Sequence, residues 1–433
     1  MRSYEYITVI KKSIIKVGLI GWLLSFILVC GCSKKVVQVS SIDDLIVESV
    51  ATTRSSEDKN LKKNYDPPTN YIPYDSLSHL FPTKYIRLNF HYMNDNLGDK
   101  NYVGKEAIDF TYNLVDNANK RLLENHKMKL PAGNQTPRLN PKYQYVIVGE
   151  QNDPHDKGIY FHADNDLYYF LNKGKNRNNY KRAVIDKYAS RLDSVLNIFI
   201  MPHHPDSVKS KNYNVSNTGI ALGHGIKIAG LYEKGDPFWE YATLLNHEIG
   251  HAMGLSHTWN SNDGCDDTPK NDNCFSKTKT APCNGVISNN LMDYNSSQMA
   301  ISPCQLGIIH RYISKLGGKE RAVIVPQWCK YQKDKTVLIE TDQVWNGAID
   351  LYGDLIVQSN TTLRIKSRVS IPKGGKILLM KNAKLILDGS LLHNACGDKW
   401  QGIQCRSKND IVVLGTARIL DVIDELEKTN NNL

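Results

Sequence analysis

The chain of 433 residues has no cysteine anywhere from Ser33 to Gly264, so no disulfide can staple that stretch. Past Cys32 come Cys265, Cys274, Cys283, Cys304, Cys329, Cys396 and Cys405. In an oxidising compartment such a cluster reads as disulfides rather than a metal site, and seven is odd, so one thiol is left over. The sequence also lacks a comfortable membrane span. Its longest early apolar run, Val17 to Val29, comes after Arg2, Lys11, Lys12 and Lys16 and has the length of a signal-peptide core. Recognised nucleic-acid motifs are missing too. The formal net charge is +10; the leader's four bases and one acid (Glu5) account for +3, so +10 − 3 = +7 remains, and that excess is scattered. Lysines such as Lys330, Lys333 and Lys335 read as a solvated face, and no nucleic-acid partner is expected.

The leader ends in Val29-Cys30-Gly31-Cys32, which resembles a bacterial lipobox and implies lipidation of Cys32. An ordinary secretory signal is the alternative, and either one exports the chain. The expected location is the cell envelope, lipid-anchored at the outer membrane or cell surface.

The length suits two domains after the leader (residues 1–32). Residues 33–83 are polar and turn-rich, with Asp66-Pro67-Pro68 and Ile72-Pro73, and read as a tether or propeptide. From Lys84 the pattern changes. Ile86, Leu88 and Phe90 alternate as in a half-buried strand, and Ile108, Tyr112, Val115 and Leu122 recur at helical spacing between Lys105 and Asn125. Tyr143 to Val148 and Val195 to Met201 read as further strands, with a helix from Arg182 to Asp193. Residues 84–324 therefore predict an α+β domain, a mixed twisted sheet plus helices. A sharper helix covers Phe238 to Met253, with Asp236 as cap, Pro237 at the first turn and Gly254 as the stop. After about Val325 the texture is short apolar runs broken by Gly353, Asn360, Gly374, Gly375 and Gly389. Residues 325–433 predict an all-β domain, either a sandwich or a short parallel solenoid. The stretch Trp345 to Cys405 resembles β-helix modules of bacterial surface proteins, which implies a glycan or surface-protein contact.

Chemistry concentrates at His247-Glu248-Ile249-Gly250-His251. Two imidazoles four residues apart on a helix share one face and can hold one zinc, while Glu248 sits beside the metal. By chance this pattern occurs in roughly one such chain in fifty; adding Gly254 and His257 lowers that to roughly one in twenty-five thousand. A straight helix cannot bring residue 257 back to the same ion, so the backbone must turn at Gly254. His247, His251 and His257 form a three-nitrogen set with one position open for water, the pattern of a catalytic zinc.

These residues, with Asn290-Leu291-Met292-Asp293-Tyr294, resemble the metzincin metalloproteases and their Met-turn. His257-Thr258-Trp259, Cys265-Asp266-Asp267-Thr268-Pro269 and Ser302-Pro303-Cys304-Gln305 are similar to the pappalysin-like family within them, over roughly Lys84 to Leu316. The resemblance implies Met292 beneath the metal and Tyr294 as a stabiliser of the transition state. It also implies disulfides Cys265 with Cys283 and Cys274 with Cys304, although four cysteines allow three pairings. Cys396 and Cys405 then make a local pair and Cys329 is left free. Latency through a propeptide cysteine, known in the family, is excluded by the missing cysteines. Asp263, Asp266 and Asp267 raise a calcium site as a further expectation.

The sequence thus predicts a zinc metalloendopeptidase acting on protein or peptide, with Glu248 as general base and acid. The rival is a surface binding protein or adhesin that works through its β domain, its protease fold structural or self-processing; the presence of Glu248 favours the enzyme.

Overall fold

A computed structural model describes residues 36–45, 66–98, 101–213, 216–259, 263–270, 274, 277–295 and 297–423. The leader and Cys32 lie outside the described residues. Strand β1 (Val37–Val39) comes first, followed by β2 (Lys84–Asn94), helix α1 (Gly104–Glu124), β3 (Tyr143–Ile147) and β4 (Ile159–Ala163). Then come α2 (Ala183–Tyr188), β5 (Leu196–Met201), α3 (Pro205–Lys209), β6 (Thr218–Leu222) and β7 (Gly225–Ala229). The short α4 (Leu231–Lys234) leads into α5 (Phe238–Ala252), α6 (Pro303–Ser314) and α7 (Lys319–Ala322).

The strands β3-β2-β5-β7-β6 form one sheet in that order. The eleven residues of β2 are long enough to serve two partners, β3 along its first half and β4 along its second. All pairings are parallel except β6 with β7, which leaves β6 as an antiparallel edge strand. Alternation along β2 sends Ile86, Leu88, Phe90 and Tyr92 to one face. There they meet the helical stripe Ala107, Phe110, Leu114, Val115, Ala118 and Leu122 of α1, and Ala242, Leu245 and Ile249 of α5. Each such large side chain contributes about 1.5–3 kcal/mol on burial. Met93, Phe199 and Met201 point the other way and pack on Phe170, Val184 and Ile185. This mixed sheet with its helices is the α+β arrangement the sequence predicted.

Helix α2 is shorter than the expected 182–193. Arg191 adopts φ 48°, and the Asn197 side chain accepts the Ser190 N–H at 2.8 Å, so the chain turns away after Tyr188.

The C-terminal strands are a parallel solenoid. Its first coil is β8 (Val337–Ile339), β9 (Gln343–Trp345) and β10 (Ile349–Asp350); its second is β11 (Leu355–Val357), β12 (Thr362–Ile365) and β13 (Arg368–Ser370). The third coil is β14 (Ile377–Leu379), β15 (Lys384–Asp388) and β16 (Leu391–His393), and the fourth is β17 (Ile403–Cys405), β18 (Ile411–Leu414) and β19 (Arg418–Ile419). Equivalent strands stack in register, so Val337, Leu355, Ile377 and Ile403 form one buried ladder and Ile339, Val357, Leu379 and Cys405 the next. The sandwich alternative is thereby set aside.

Residues 33–83 differ from the expected tether wherever they are described. Strand β1 pairs antiparallel with β17, and Tyr71, Ile72 and Leu80 are buried. Glycines make room for this segment: a Cβ on Gly307 would stand 2.4 Å from the Pro68 carbonyl oxygen, and one on Gly347 2.7 Å from that of Asn70.

The α+β part and the solenoid share buried charge. Asp350 accepts both guanidinium donors of Arg321, at 2.6 and 3.0 Å, and one of Arg368 at 2.7 Å. Burial opposes ionisation of Asp350, yet Arg368 and Arg321 hold its carboxyl well below the usual range. Tyr352 and Trp328 join the hydrophobic core of the mixed sheet.

Three disulfides are present among the described residues, and their pairing corrects the expectation. Cys265 bonds Cys304, not Cys283, because Asp267 accepts hydrogen bonds from Ser302 Oγ and the Cys304 N–H, at 2.7 and 3.0 Å, and so ties that loop to the start of α6. Cys274 and Cys283 close a local loop. Cys329 bonds Cys396, whereas Cys405 is the free thiol among the described residues. Its inward place in the solenoid ladder explains this: it acts as a small core hydrophobe, and burial pushes the thiol up to about 11.

Candidate metal centre

Helix α5 carries the first two imidazoles. Pro237 is its N-cap with extended backbone, whereas the expected cap, Asp236, accepts from Asn217 Nδ2 at 3.3 Å. At the far end Gly254 takes φ +95°, and a Cβ there would stand 2.5 Å from the Tyr312 ring, so glycine is required twice over. The turn brings the Leu255 carbonyl to His251, whose Nδ1–H donates to it at 2.9 Å, and returns His257 toward the helix. His247 Nδ1–H donates to the Leu291 carbonyl at 2.7 Å.

These bonds fix both tautomers and leave the Nε2 lone pairs free. The three Nε2 atoms converge: 3.1 Å between His247 and His251, 3.2 Å between His247 and His257, and 2.9 Å between His251 and His257. Tetrahedral bonds of about 2.1 Å would separate ligand nitrogens by about 3.4 Å, within a few tenths of what is seen. Acceptors crowded this closely are relieved by a cation, so the donor set fits zinc. Burial, reinforced by the neighbouring His251, lowers His247 to about 3 and His257 to about 4; burial also lowers His251. The rings therefore stay neutral and available as ligands at neutral pH.

Glu248 turns toward the edge strand β6. Burial raises its carboxyl to about 8, against a lowering hydrogen bond from the Ala221 N–H, and Oε2 has no protein partner. Gly219 makes space for it: a Cβ there would lie 2.6 Å from Cγ and 2.7 Å from Oε1 of Glu248. Met292 is fully buried below the helix, and Gly250 is needed because a Cβ would stand 2.7 Å from its Sδ. Tyr294 is 53% exposed, with ring centroids 5.0 Å from His257, 5.9 Å from His247 and 4.2 Å from Trp259. Burial, and then the charge of Glu248, raise its phenol. His247, Glu248, His251, His257, Met292 and Tyr294 thus lie together around the end of α5.

The calcium expectation does not find support. Asp263 accepts from Thr268 Oγ1 and the Cys265 N–H, at 2.5 and 3.0 Å, and Asp267 is committed to Ser302 and Cys304. These carboxylates are spent on protein donors.

Sequence reasoning missed the supports. Asp293, Thr258, Ser288, Gln298 and Gly219 carry no spacing signal of their own; only their places beside a ligand, a Met-turn or an edge strand reveal them.

Residues 195–312 match the family model described as "Pregnancy-associated plasma protein-A", a peptidase family. Among solved structures, mature mirolysin of Tannerella forsythia, in complex with a cleaved peptide, is 18% identical with a TM-score of 0.38, covering 56% of this chain and 95% of that one. A promirolysin variant from the same organism is 15% identical with a TM-score of 0.39, covering 56% of this chain and 84% of its own. The curated proteins return no match. The family match falls on β5 through α6, where the three imidazoles and the Met-turn lie, so residues 195–312 are similar to a pappalysin-like metalloprotease domain.

Proposed function

We propose that this chain is an extracytoplasmic zinc endopeptidase that cleaves protein or peptide chains with Glu248 as general base and then general acid. The observation that carries the reading is the convergence of three neutral Nε2 atoms within 3.2 Å of one another, next to a buried carboxylate that lacks a partner on one oxygen. When bound at His247, His251 and His257, zinc would supply a Lewis acid for the scissile carbonyl and an acidified water.

The chain's own residues do the rest. Glu248, its carboxyl raised by burial, is poised between protonated and ionised forms near neutral pH, so it can take a proton and return it to the leaving amine. Its hydrogen bond with Ala221 ties it to the edge strand, where an extended substrate backbone could add by strand pairing. Tyr294 presents a hydroxyl on the exposed side of the imidazoles and would donate to the developing oxyanion. Met292 gives the ligands an apolar floor.

Export and attachment through Cys32 to the outer membrane or cell surface belong to the same proposal, on the grammar of the leader. A glycan or surface protein on the solenoid is proposed as a further contact. The test of the central reading is digestion of a peptide library by the protein and by Glu248→Ala. The substituted protein should keep its metal and lose cleavage; an unchanged rate would place the base elsewhere.

A further inference from the structure

His247 and His251 are each oriented by an Nδ1–H bond to a backbone carbonyl. The hydrogen bonds of the described residues include none at Nδ1 of His257. Its ring stacks on Trp259 at 3.9 Å with 18° between planes, and a stack alone leaves a ring free to slide. Something else must fix the third ligand in place.

The neighbouring residue does so. Thr258 is buried and its hydroxyl donates to Asp293 Oδ1, while Ser288 donates to Oδ2 of the same carboxylate. Asp293 is 2% exposed and lies next to Met292 in the turn under the metal site. Ser288 Oγ in turn accepts the Asn290 N–H at 3.1 Å, and Asn290 Oδ1 accepts that of Met292 at 2.8 Å. Gln298 Nε2 donates to the carbonyls of Leu291 and Asp293, on either side of Met292. Leu291 O is also the acceptor that orients His247. One turn therefore holds the first ligand through its backbone and reaches the segment of the third through a side chain.

We propose that Asp293 is a positioning residue for the metal: by gripping the Thr258 hydroxyl it sets the place of His257 relative to His247 and His251. This deepens the zinc reading above and rests on it. Outer groups that orient metal ligands typically change affinity 10–100-fold when removed.

The test uses zinc affinity, measured by competition with a chromophoric chelator on the full chain, beside thermal unfolding of the metal-free protein. Thr258→Val keeps the shape and removes the hydroxyl, Thr258→Ser keeps the hydroxyl, and Asp293→Asn removes the charge. The expected result is zinc weakened about 10–100-fold by Thr258→Val and by Asp293→Asn, near-native affinity for Thr258→Ser, and a double variant little worse than either single one because the two act as a unit. A native protein that binds one zinc, with Thr258→Val binding it equally tightly, would overturn the proposal. So would additive losses in the double variant. If Asp293→Asn does not fold, the Thr258 pair still decides. A native protein that binds no zinc would instead sink the metal reading itself.

Discussion

Gly219 offers the sharpest perturbation of the proposed chemistry, because it separates the general base from the metal ligands. A methyl group there would stand 2.6, 2.7 and 2.8 Å from Cγ, Oε1 and Cδ of Glu248, where ordinary contact begins near 3.4 Å, so the side chain must move by 3.4 − 2.6 = 0.8 Å. Glu248 is only 4% exposed and has little room to yield. The glycine has an ordinary extended backbone, so Gly219→Ala adds no conformational strain, and the three imidazoles sit on other elements. A misplacement of about 1 Å at a reacting group costs about 100-fold in rate, or about 2.7 kcal/mol. The expected outcome is therefore a kcat lowered by about two orders of magnitude with zinc content and melting temperature near native. Steady-state hydrolysis of a quenched fluorescent peptide, with metal analysis of the same sample, measures both. A Gly219→Ala enzyme with native kcat would refute the placement of Glu248 as the base.

Other parts of the molecule carry expectations of their own. Asp350→Ala should strand Arg321 and Arg368 in the interior and destabilise the fold by about 3–5 kcal/mol, read as a shift in the urea midpoint; a loss under about 1 kcal/mol would contradict the buried pairing. His310 donates through Nε2 to the Pro141 carbonyl at 2.8 Å, and burial lowers its pKa to about 4. Its folded value is depressed, so the unfolded chain takes up the proton first. Stability is then complete above about pH 6.5 and falls by up to about 3 kcal/mol as pH drops toward 4; His310→Gln should flatten that slope in metal-free protein, and an unchanged slope would assign it elsewhere. Peptide mapping should find Cys329 linked to Cys396, with Cys405 alkylated only after denaturation. Ready alkylation of the native protein at Cys405 would contradict its place in the solenoid ladder.

The metal centre was legible because its parts lie close together in the chain. Helical spacing puts His247 and His251 on one face, and a glycine must bend the chain before His257, so three candidate ligands and a candidate base could be named without coordinates. Strand positions were legible for the same local reason: Thr362 to Ile365 alternates and is bounded by turn residues, and it is a strand in the fold. Pairings between distant residues were not. Whether Cys329 or Cys405 meets Cys396 depends on Cys405 falling on the inward face of a coil, which is a matter of register across four coils. The packing of residues 66–80 depends on Gly307 and Gly347 more than two hundred residues away, and a polar, proline-rich stretch gives no sign of them. Asp293 likewise looks like any aspartate in a turn until Thr258 and Ser288 are seen to point at it.

The most direct measurement is metal content set against cleavage. The purified protein should hold one zinc per chain, lose it together with peptide hydrolysis under a strong chelator, and regain both on zinc addition, while His251→Ala should lack both. Peptide hydrolysis that persists without zinc, or a protein with no metal at His247, His251 and His257, would contradict the account.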